Sequence, residues 1–307
     1  MWHSATEHLD EIREMGYNVY YMEDEADELP CDPAIIDCMI CCKPFMWHSI
    51  DAFKNLKWIQ TESVGYDRIG FDECLRRGIK VYNCGNAYAV AIAEYTIAHL
   101  LYLYQGIGQE LENAAVRGWA KGFGVKRQLS GSKILIIGSG NIAQQTARRL
   151  RGWDCEITAI SHTPRESEAW DRMADYSHLH DELATADIVV LAAAPTTLRD
   201  GKLIRLVEDN LIGAEEFACM KETATFVNVA RGVLVDKTAL VETLNSRPQF
   251  AAILDVYGEE PLNPNDPIWS CKNAFVTAHH SYYTDHIEEN LWNIYKERLQ
   301  ECGRTGA

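Results

Sequence analysis

"KILIIGSGNIAQQTARRL", residues 133–150, decides the fold. Lys133 to Ile137 read as a short apolar strand, a glycine-rich turn follows, and the remainder has the spacing of an amphipathic helix. The turn is Gly138-Ser139-Gly140-Asn141-Ile142-Ala143, a G-x-G-x-x-A pattern. Glycine at the first position permits the tight turn, the second lets backbone approach a pyrophosphate, and the small third residue lets helix pack on strand. A pyrophosphate would rest on the helix N-terminus, where unpaired N–H groups and the macrodipole favour negative charge. The pattern alone also describes a plain tight turn; its place between strand and helix points to a dinucleotide, with Gly138, Ser139, Gly140, Asn141 and Ile142 as contacts.

The next strand bears on which dinucleotide. Sites selective for NAD place Asp or Glu about twenty residues on, accepting hydrogen bonds from the ribose hydroxyls. "EITAISHTPRE", residues 156–166, offers Ser161, then His162, Thr163 and Arg165. With no carboxylate guarding the 2′ position, Ser161, Thr163 and Arg165 are expected to take a 2′-phosphate. The residues predict NADP(H), with NAD as the alternative.

Outward from this unit, strands keep alternating with helices: "ADIVVLAAAP", "ATFVNVA" with the helix "KTALVETLN", "FAAILDV" and "NAFVTAHH". That alternation predicts parallel sheets covered by helices. Toward the N-terminus, residues 1–83 carry the apolar runs "NVYYM", "DCMICC", "LKWIQ" and "IKVYN", the makings of a small α/β domain. "AYAVAIAEYTIAHLLYLYQGIGQE", residues 87–110, reads as one long helix buried on several faces and joining two domains. "TDHIEENLWNIYKERLQ" reads as a helix that returns to the first domain. The expected division is a discontinuous substrate domain, residues 1–86 and 285–307, with a dinucleotide-binding domain, 87–284, inserted in it and the active site in the cleft between them.

Composition narrows the partners. With 307 residues, 47% apolar and 24% charged, the chain suits a globular enzyme. A formal net charge of −16 disfavours nucleic acid and anionic membranes, and an anionic substrate would need a local cation. Ten irregularly spaced cysteines make no disulfide framework and point to the cytosol. The C-x-x-C at Cys38 to Cys41 lies inside a buried-strand pattern, whereas a redox dithiol sits at a helix N-terminus. No second motif completes a zinc site, so no metal is expected. Neither a signal peptide nor an apolar run long enough to span a bilayer occurs, and the expected location is cytoplasmic.

Three polar residues fall at the ends of later strands, the edge that lines the ligand crevice of an open parallel sheet. They are Arg231 in "VNVARGVLVD", Glu260 in "LDVYGEEPL" and His279 in "FVTAHHSYYTD". Reducing a 2-oxo acid needs a hydride, a proton for the carbonyl oxygen and a cation for the carboxylate. Arg231 can grip a carboxylate with two parallel hydrogen bonds. His279 is the natural proton donor near neutral pH, and Glu260 would orient its ring. Taken singly, each also reads as an ordinary surface or core residue; their joint place at strand ends argues for chemistry.

Here the chain resembles the D-isomer-specific 2-hydroxyacid dehydrogenases, which include glyoxylate/hydroxypyruvate reductases and phosphoglycerate dehydrogenases. The resemblance covers most of the sequence and rests on "LKWIQTESVGYDRIG", "AVAIAEYTIAHLL", "LSGSKILIIGSGNIA", "FVNVARGVLVDKTALVETL", "AAILDVYGEEPLNPNDPIW" and "FVTAHHSYYTD". It implies a Rossmann-type doubly wound domain inserted in a smaller flavodoxin-like α/β domain. By resemblance Arg231 is the substrate-binding arginine, Glu260 the catalytic glutamate and His279 the acid/base histidine, while His280 becomes a packing or pocket-wall residue. Asp255 matches an aspartate at the nicotinamide carboxamide. Pro195, Thr197 and Ala230 match residues lining the cofactor, and the Val64 and Gly65 N–H groups match those that hold the substrate carboxylate. The implied reaction is reduction of a small 2-oxo acid to the D-2-hydroxy acid with NAD(P)H, in a homodimer joined through the cofactor domain. A phosphoglycerate dehydrogenase-like enzyme and a non-catalytic, corepressor-like dinucleotide sensor are the alternatives.

Departures from the family pattern carry their own expectations. A strand normally precedes the first helix, so the first sheet would be one strand short or the chain starts late. "SHTPR" looks like the NADP-preferring reductase branch. "CCKPFMWHS" falls where substrate-pocket residues sit; Phe45, Met46 and Trp47 suggest an apolar wall for an unphosphorylated substrate, while Lys43 leaves a phosphorylated one open.

Overall fold

Side-chain period and glycine placement set the elements seen in the computed structural model, which describes residues 3–66, 68–120, 126–162, 164, 166–199, 202–205 and 210–304. In chain order they begin α1 (Leu9–Glu14), β1 (Cys38–Cys41), β2 (Trp58–Thr61), α2 (Phe71–Arg76), β3 (Lys80–Tyr82), α3 (Ala89–Gln105) and α4 (Ile107–Ala115). Next come β4 (Lys133–Ile137), α5 (Asn141–Leu150), β5 (Glu156–Ile160), β6 (Arg172–Ala174), α6 (Leu179–Thr185) and β7 (Ile188–Leu191). The rest are β8 (Thr196–Arg199), β9 (Lys202–Arg205), α7 (Ala214–Cys219), β10 (Thr225–Asn228), α8 (Lys237–Ser246), β11 (Ala251–Leu254), β12 (Ala274–Val276) and α9 (Ile287–Arg304). They group into two compact units, Met1–Tyr88 with Thr196–Arg205 and Tyr283–Ala307, and Ala89–Pro195 with Leu206–Tyr282.

The first unit holds a parallel sheet in the order β1-β2-β3. Ile59, Ile69, Cys74 and Ile79 are buried at its core with Cys41, Phe53 and Leu56. The terminal helix does return here: the Tyr17 hydroxyl donates to the Leu299 carbonyl at 2.8 Å, Lys296 pairs with Glu11 at 2.5 Å, and the Arg298 guanidinium lies 3.7 Å from the centre of the Tyr82 ring. The apolar run Asn18–Met22 forms no strand. A strand needs a neighbour to complete its ladder, and this stretch and β1 both line a mostly apolar cavity of about 190 Å³ instead of pairing. Cys38 and Cys41 lie in β1 itself. Burial pushes the Cys38 thiol up to about 12 and that of Cys41 well above its ordinary value, the opposite of an activated thiolate.

The second unit is built on a seven-stranded parallel sheet, β12-β11-β10-β7-β4-β5-β6. Its strand order reverses direction between β4 and β7, a doubly wound arrangement whose ligand crevice opens at the carboxyl ends beside that reversal. The core strands β4, β5, β7, β10 and β11 are buried almost throughout, as a sheet covered on both faces requires. The single helix expected over 87–110 is two, because Gly106 takes a left-handed conformation, φ +65°, and ends α3. The short edge strand β6 and the hairpin β8-β9 carry no alternation strong enough to read from sequence, and the hairpin groups with the first unit. Among the described residues no helix is long and apolar enough to cross a membrane.

Candidate active site

Gly138 follows β4 with φ +124°, and a Cβ there would lie 2.6 Å from the Ala192 carbonyl oxygen beyond β7, so only glycine fits. Its N–H donates to the Ile160 carbonyl at 2.7 Å, tying the turn to β5. At Gly140 the position of a Cβ is open space, as a backbone meant to be approached by a ligand needs. Asn141 and Ile142 open α5, and Ala143 is fully buried between that helix and the sheet. The Ser139 hydroxyl donates to the Ser161 hydroxyl at 3.0 Å, bringing turn and β5 end together. These residues fit a dinucleotide. His162 stacks on Tyr176 with centroids 4.1 Å apart. Thr163 and Arg165 lie outside the described residues. Pro195 follows β7, and Thr197 is in β8, paired with Ile204.

At the same carboxyl edge, β10, β11 and β12 stand side by side, and the segments that leave them carry Arg231, Asp255 and His279 respectively. Strand spacing puts the ends of β10 and β12 roughly 10 Å apart. The Arg231 turn is set by Asn228, whose buried amide accepts the Ala230 N–H at 3.1 Å and donates to the Arg231 carbonyl at 3.3 Å. Arg231 Nη1 in turn donates to the Ala230 carbonyl at 2.9 Å. A Cβ on the next residue, Gly232, would fall 1.8 Å from the Tyr257 carbonyl carbon. The arginine turn is therefore pressed directly onto the loop that carries Glu260.

Glu260 bridges two partners. One carboxylate oxygen accepts the Tyr257 N–H at 2.9 Å and the other lies 2.7 Å from His279 Nδ1. With Nδ1 held by an anion, Nε2 is the ring nitrogen left to exchange a proton with a ligand. His279 itself has φ +49°, a left-handed conformation uncommon outside glycine and costing on the order of 1–3 kcal/mol. Asp255 holds it there. It has no exposed surface, and its oxygens accept the Thr277 hydroxyl at 2.7 Å and the backbone N–H groups of His280 and Ser281 at 3.0 and 2.9 Å. Asp255 thus lies under the histidine turn with its carboxylate spent on that turn.

Burial alone would raise the Asp255 carboxyl, but the bonds from Ser281, Thr277 and His280 outweigh it and hold it below the ordinary range. A depressed native value means that the folded state binds fewer protons, so the stabilisation is complete above about pH 4 and fades as pH falls through the native value. Asp255→Asn is expected to cost about 3 kcal/mol at pH 7. The gap to the parent should narrow in urea titrations below about pH 4; a gap independent of pH would remove the ionised carboxylate from the account.

In the first unit, Val64 and Gly65 follow β2. The Val64 carbonyl accepts from Asn83 Nδ2 at 2.8 Å, and the carbonyls of Ser63 and Gly65 accept from the Thr61 and Ser63 hydroxyls at 2.8 and 2.7 Å. In a trans peptide the N–H points opposite to the preceding carbonyl, so the Val64 and Gly65 N–H groups face away from these partners. Among the described residues neither has a protein acceptor. Of the expected apolar wall, Phe45 turns inward, edge-on to Phe53 at 5.9 Å, while Met46 and Trp47 are exposed. The sequence reading missed Asn228, Gly232, Thr277 and Ser281. Only Gly232, directly after the arginine, carried a readable signal.

The sheet order and the glycine turn together define a doubly wound dinucleotide-binding protein. A family model described as D-isomer specific 2-hydroxyacid dehydrogenase, NAD binding domain, matches residues 97–281. The glyoxylate reductase/hydroxypyruvate reductase of Homo sapiens is 32% identical over 233 residues, 73% of this chain and 67% of that protein. The D-3-phosphoglycerate dehydrogenase of Archaeoglobus fulgidus is 29% identical over 255 residues, 81% of this chain but 46% of that protein. The NADPH-dependent glyoxylate/hydroxypyruvate reductase of Sinorhizobium meliloti, solved with citrate, shares the fold with a TM-score of 0.79 at 22% identity, over 98% of this chain and 91% of that one. The chain belongs to the D-isomer specific 2-hydroxyacid dehydrogenase family and is an oxidoreductase.

Proposed function

We propose that the protein reduces a small, glyoxylate- or hydroxypyruvate-like 2-oxo acid to its D-2-hydroxy acid, with NADP(H) as the preferred cofactor. The observation that carries this reading is the Glu260–His279 pair, 2.7 Å apart at the carboxyl edge of a dinucleotide-binding sheet. Gly138, Ser139, Gly140, Asn141 and Ile142 hold the pyrophosphate side, Pro195, Thr197 and Ala230 line the cofactor, and residues 1–86 with 285–307 form the substrate domain against 87–284 for the dinucleotide. When bound, the dinucleotide supplies the hydride. Arg231 fixes and polarises the substrate, His279 delivers the proton to the carbonyl oxygen from Nε2, and Glu260 holds the ring in that tautomer. Val64 and Gly65 bind the substrate carboxylate through their N–H groups.

Selectivity for the phosphorylated cofactor rests on the end of β5, where Ser161 stands in place of a carboxylate and meets Ser139. His162, Thr163 and Arg165 complete this proposed 2′ site. A gained charge-assisted phosphate contact is worth about 1.5–3 kcal/mol, so kcat/KM for NADPH is expected to exceed that for NADH by about 10- to 10²-fold. Glyoxylate, hydroxypyruvate and pyruvate assayed with both cofactors test the whole reading. A preference for NADH rejects the cofactor assignment, and cofactor binding without turnover of any 2-oxo acid favours a dinucleotide sensor. Leu111, Val116 and Trp119, exposed on and after α4, with Trp119 92% accessible, support a homodimer through the second unit, and the absence of any spanning helix among the described residues suits a cytoplasmic enzyme.

A further inference from the structure

An internal carboxylate already occupies one anion-binding place on the first unit's sheet edge. β1 and β2 are parallel neighbours, Cys41 paired with Thr61, and the Glu62 N–H donates to the Cys41 carbonyl at 2.9 Å. The segments that follow them therefore emerge side by side, about 4.8 Å apart at the strands. Val64 and Gly65 follow β2. After β1, the N–H groups of Cys42 and Lys43 converge on the Glu25 carboxylate at 2.6 and 2.8 Å. Successive backbone N–H groups of this kind form a concavity for an anion, and Glu25, 8% exposed, is that anion. Its carbonyl is anchored in turn by His48 Nε2 at 2.8 Å.

The cations nearby do not offset it. The Lys43 ammonium is drawn over the Trp47 ring, 5.1 Å from its centre. At the Cys42 thiol between these groups, burial first and then Glu62 and Glu25 raise the pKa, and Arg68 only partly opposes them. At this thiol the two carboxylates outweigh the one guanidinium. A second substrate anion would either displace Glu25, leaving a buried carboxylate without its donors, or sit beside it; both are unfavourable.

We infer that Glu25 is a specificity-determining residue that refuses a second anionic group, so that the substrate is a 2-oxo acid with an uncharged far end. This rests on the 2-oxo acid reading above and names its substrate class. Phosphorylated and dicarboxylic 2-oxo acids are excluded by charge and not by size.

Two measurements test it. The native protein, with saturating NADPH, is assayed on hydroxypyruvate against its 3-phosphate, and on 2-oxosuccinamate against oxaloacetate, its anionic isostere. The uncharged member is expected to win by ~10²-fold in the first pair and at least ~10-fold in the second. In Glu25→Gln, which keeps an acceptor but removes the charge, both ratios should fall about tenfold. Equal use of amide and acid by the native protein overturns the inference, a result that holds even if the variant does not fold. Unchanged ratios in a folded Glu25→Gln variant overturn it as well. A native enzyme that prefers the phosphorylated acid sinks the inference and leaves 2-oxo acid reduction standing, whereas no turnover of any member sinks both.

Discussion

Replacing His279 with alanine is expected to lower kcat by about 10²- to 10⁴-fold, with KM for the 2-oxo acid changed far less. The reason is geometric. Glu260 fixes Nδ1 at 2.7 Å and the histidine turn is pinned by Asp255, so in the proposed mechanism the proton leaves from Nε2 alone. Removing the ring leaves hydride delivery without a matched proton, and water must supply it. Pre-steady-state reduction with excess enzyme reads the chemical step directly. A native rate in that experiment would move the proton donor elsewhere.

The second large effect is expected at Arg231. Arg231→Lys keeps the charge but loses the fork, since an ammonium cannot make two parallel hydrogen bonds to a carboxylate while polarising the adjacent carbonyl. Losing one charge-assisted bond costs about 3 kcal/mol, which is roughly 10²-fold in kcat/KM. Both KM and kcat should worsen, because in the proposed mechanism the same group binds and polarises. Near-normal kinetics in the lysine variant would take the guanidinium out of the mechanism. The turn around it should survive, for the Asn228 side chain bonds only to backbone atoms there.

What could be read from sequence followed from short-range patterns. Lys133 to Leu150 announced strand, turn and helix because each part obeys its own period and the glycines sit where backbone freedom is required. The strand-end positions of Arg231 and His279 followed from the apolar runs ahead of them. The pairing of Glu260 with His279 was expected from chemistry, and the structure supplies its distance. Asp255 read as a cofactor contact; its place beneath the histidine turn was not legible, because its partners, the His280 and Ser281 backbone amides, leave no trace in residue type. The apolar run Asn18–Met22 forms no strand for a related reason: propensity is present, but no neighbouring ladder is. The break at Gly106 was visible as a glycine and hidden by the apolar residues on both sides.

The contact at Gly232 has an evolutionary corollary. Because the chain after the arginine abuts the Tyr257–Gly258 peptide with no room for even a methyl group, the two loops must fit each other as a matched pair. Grafting one loop from a relative without the other is expected to force apart the Arg231 turn and the loop that carries Glu260. Residues 229–260 are therefore expected to tolerate exchange with a relative's only as one segment.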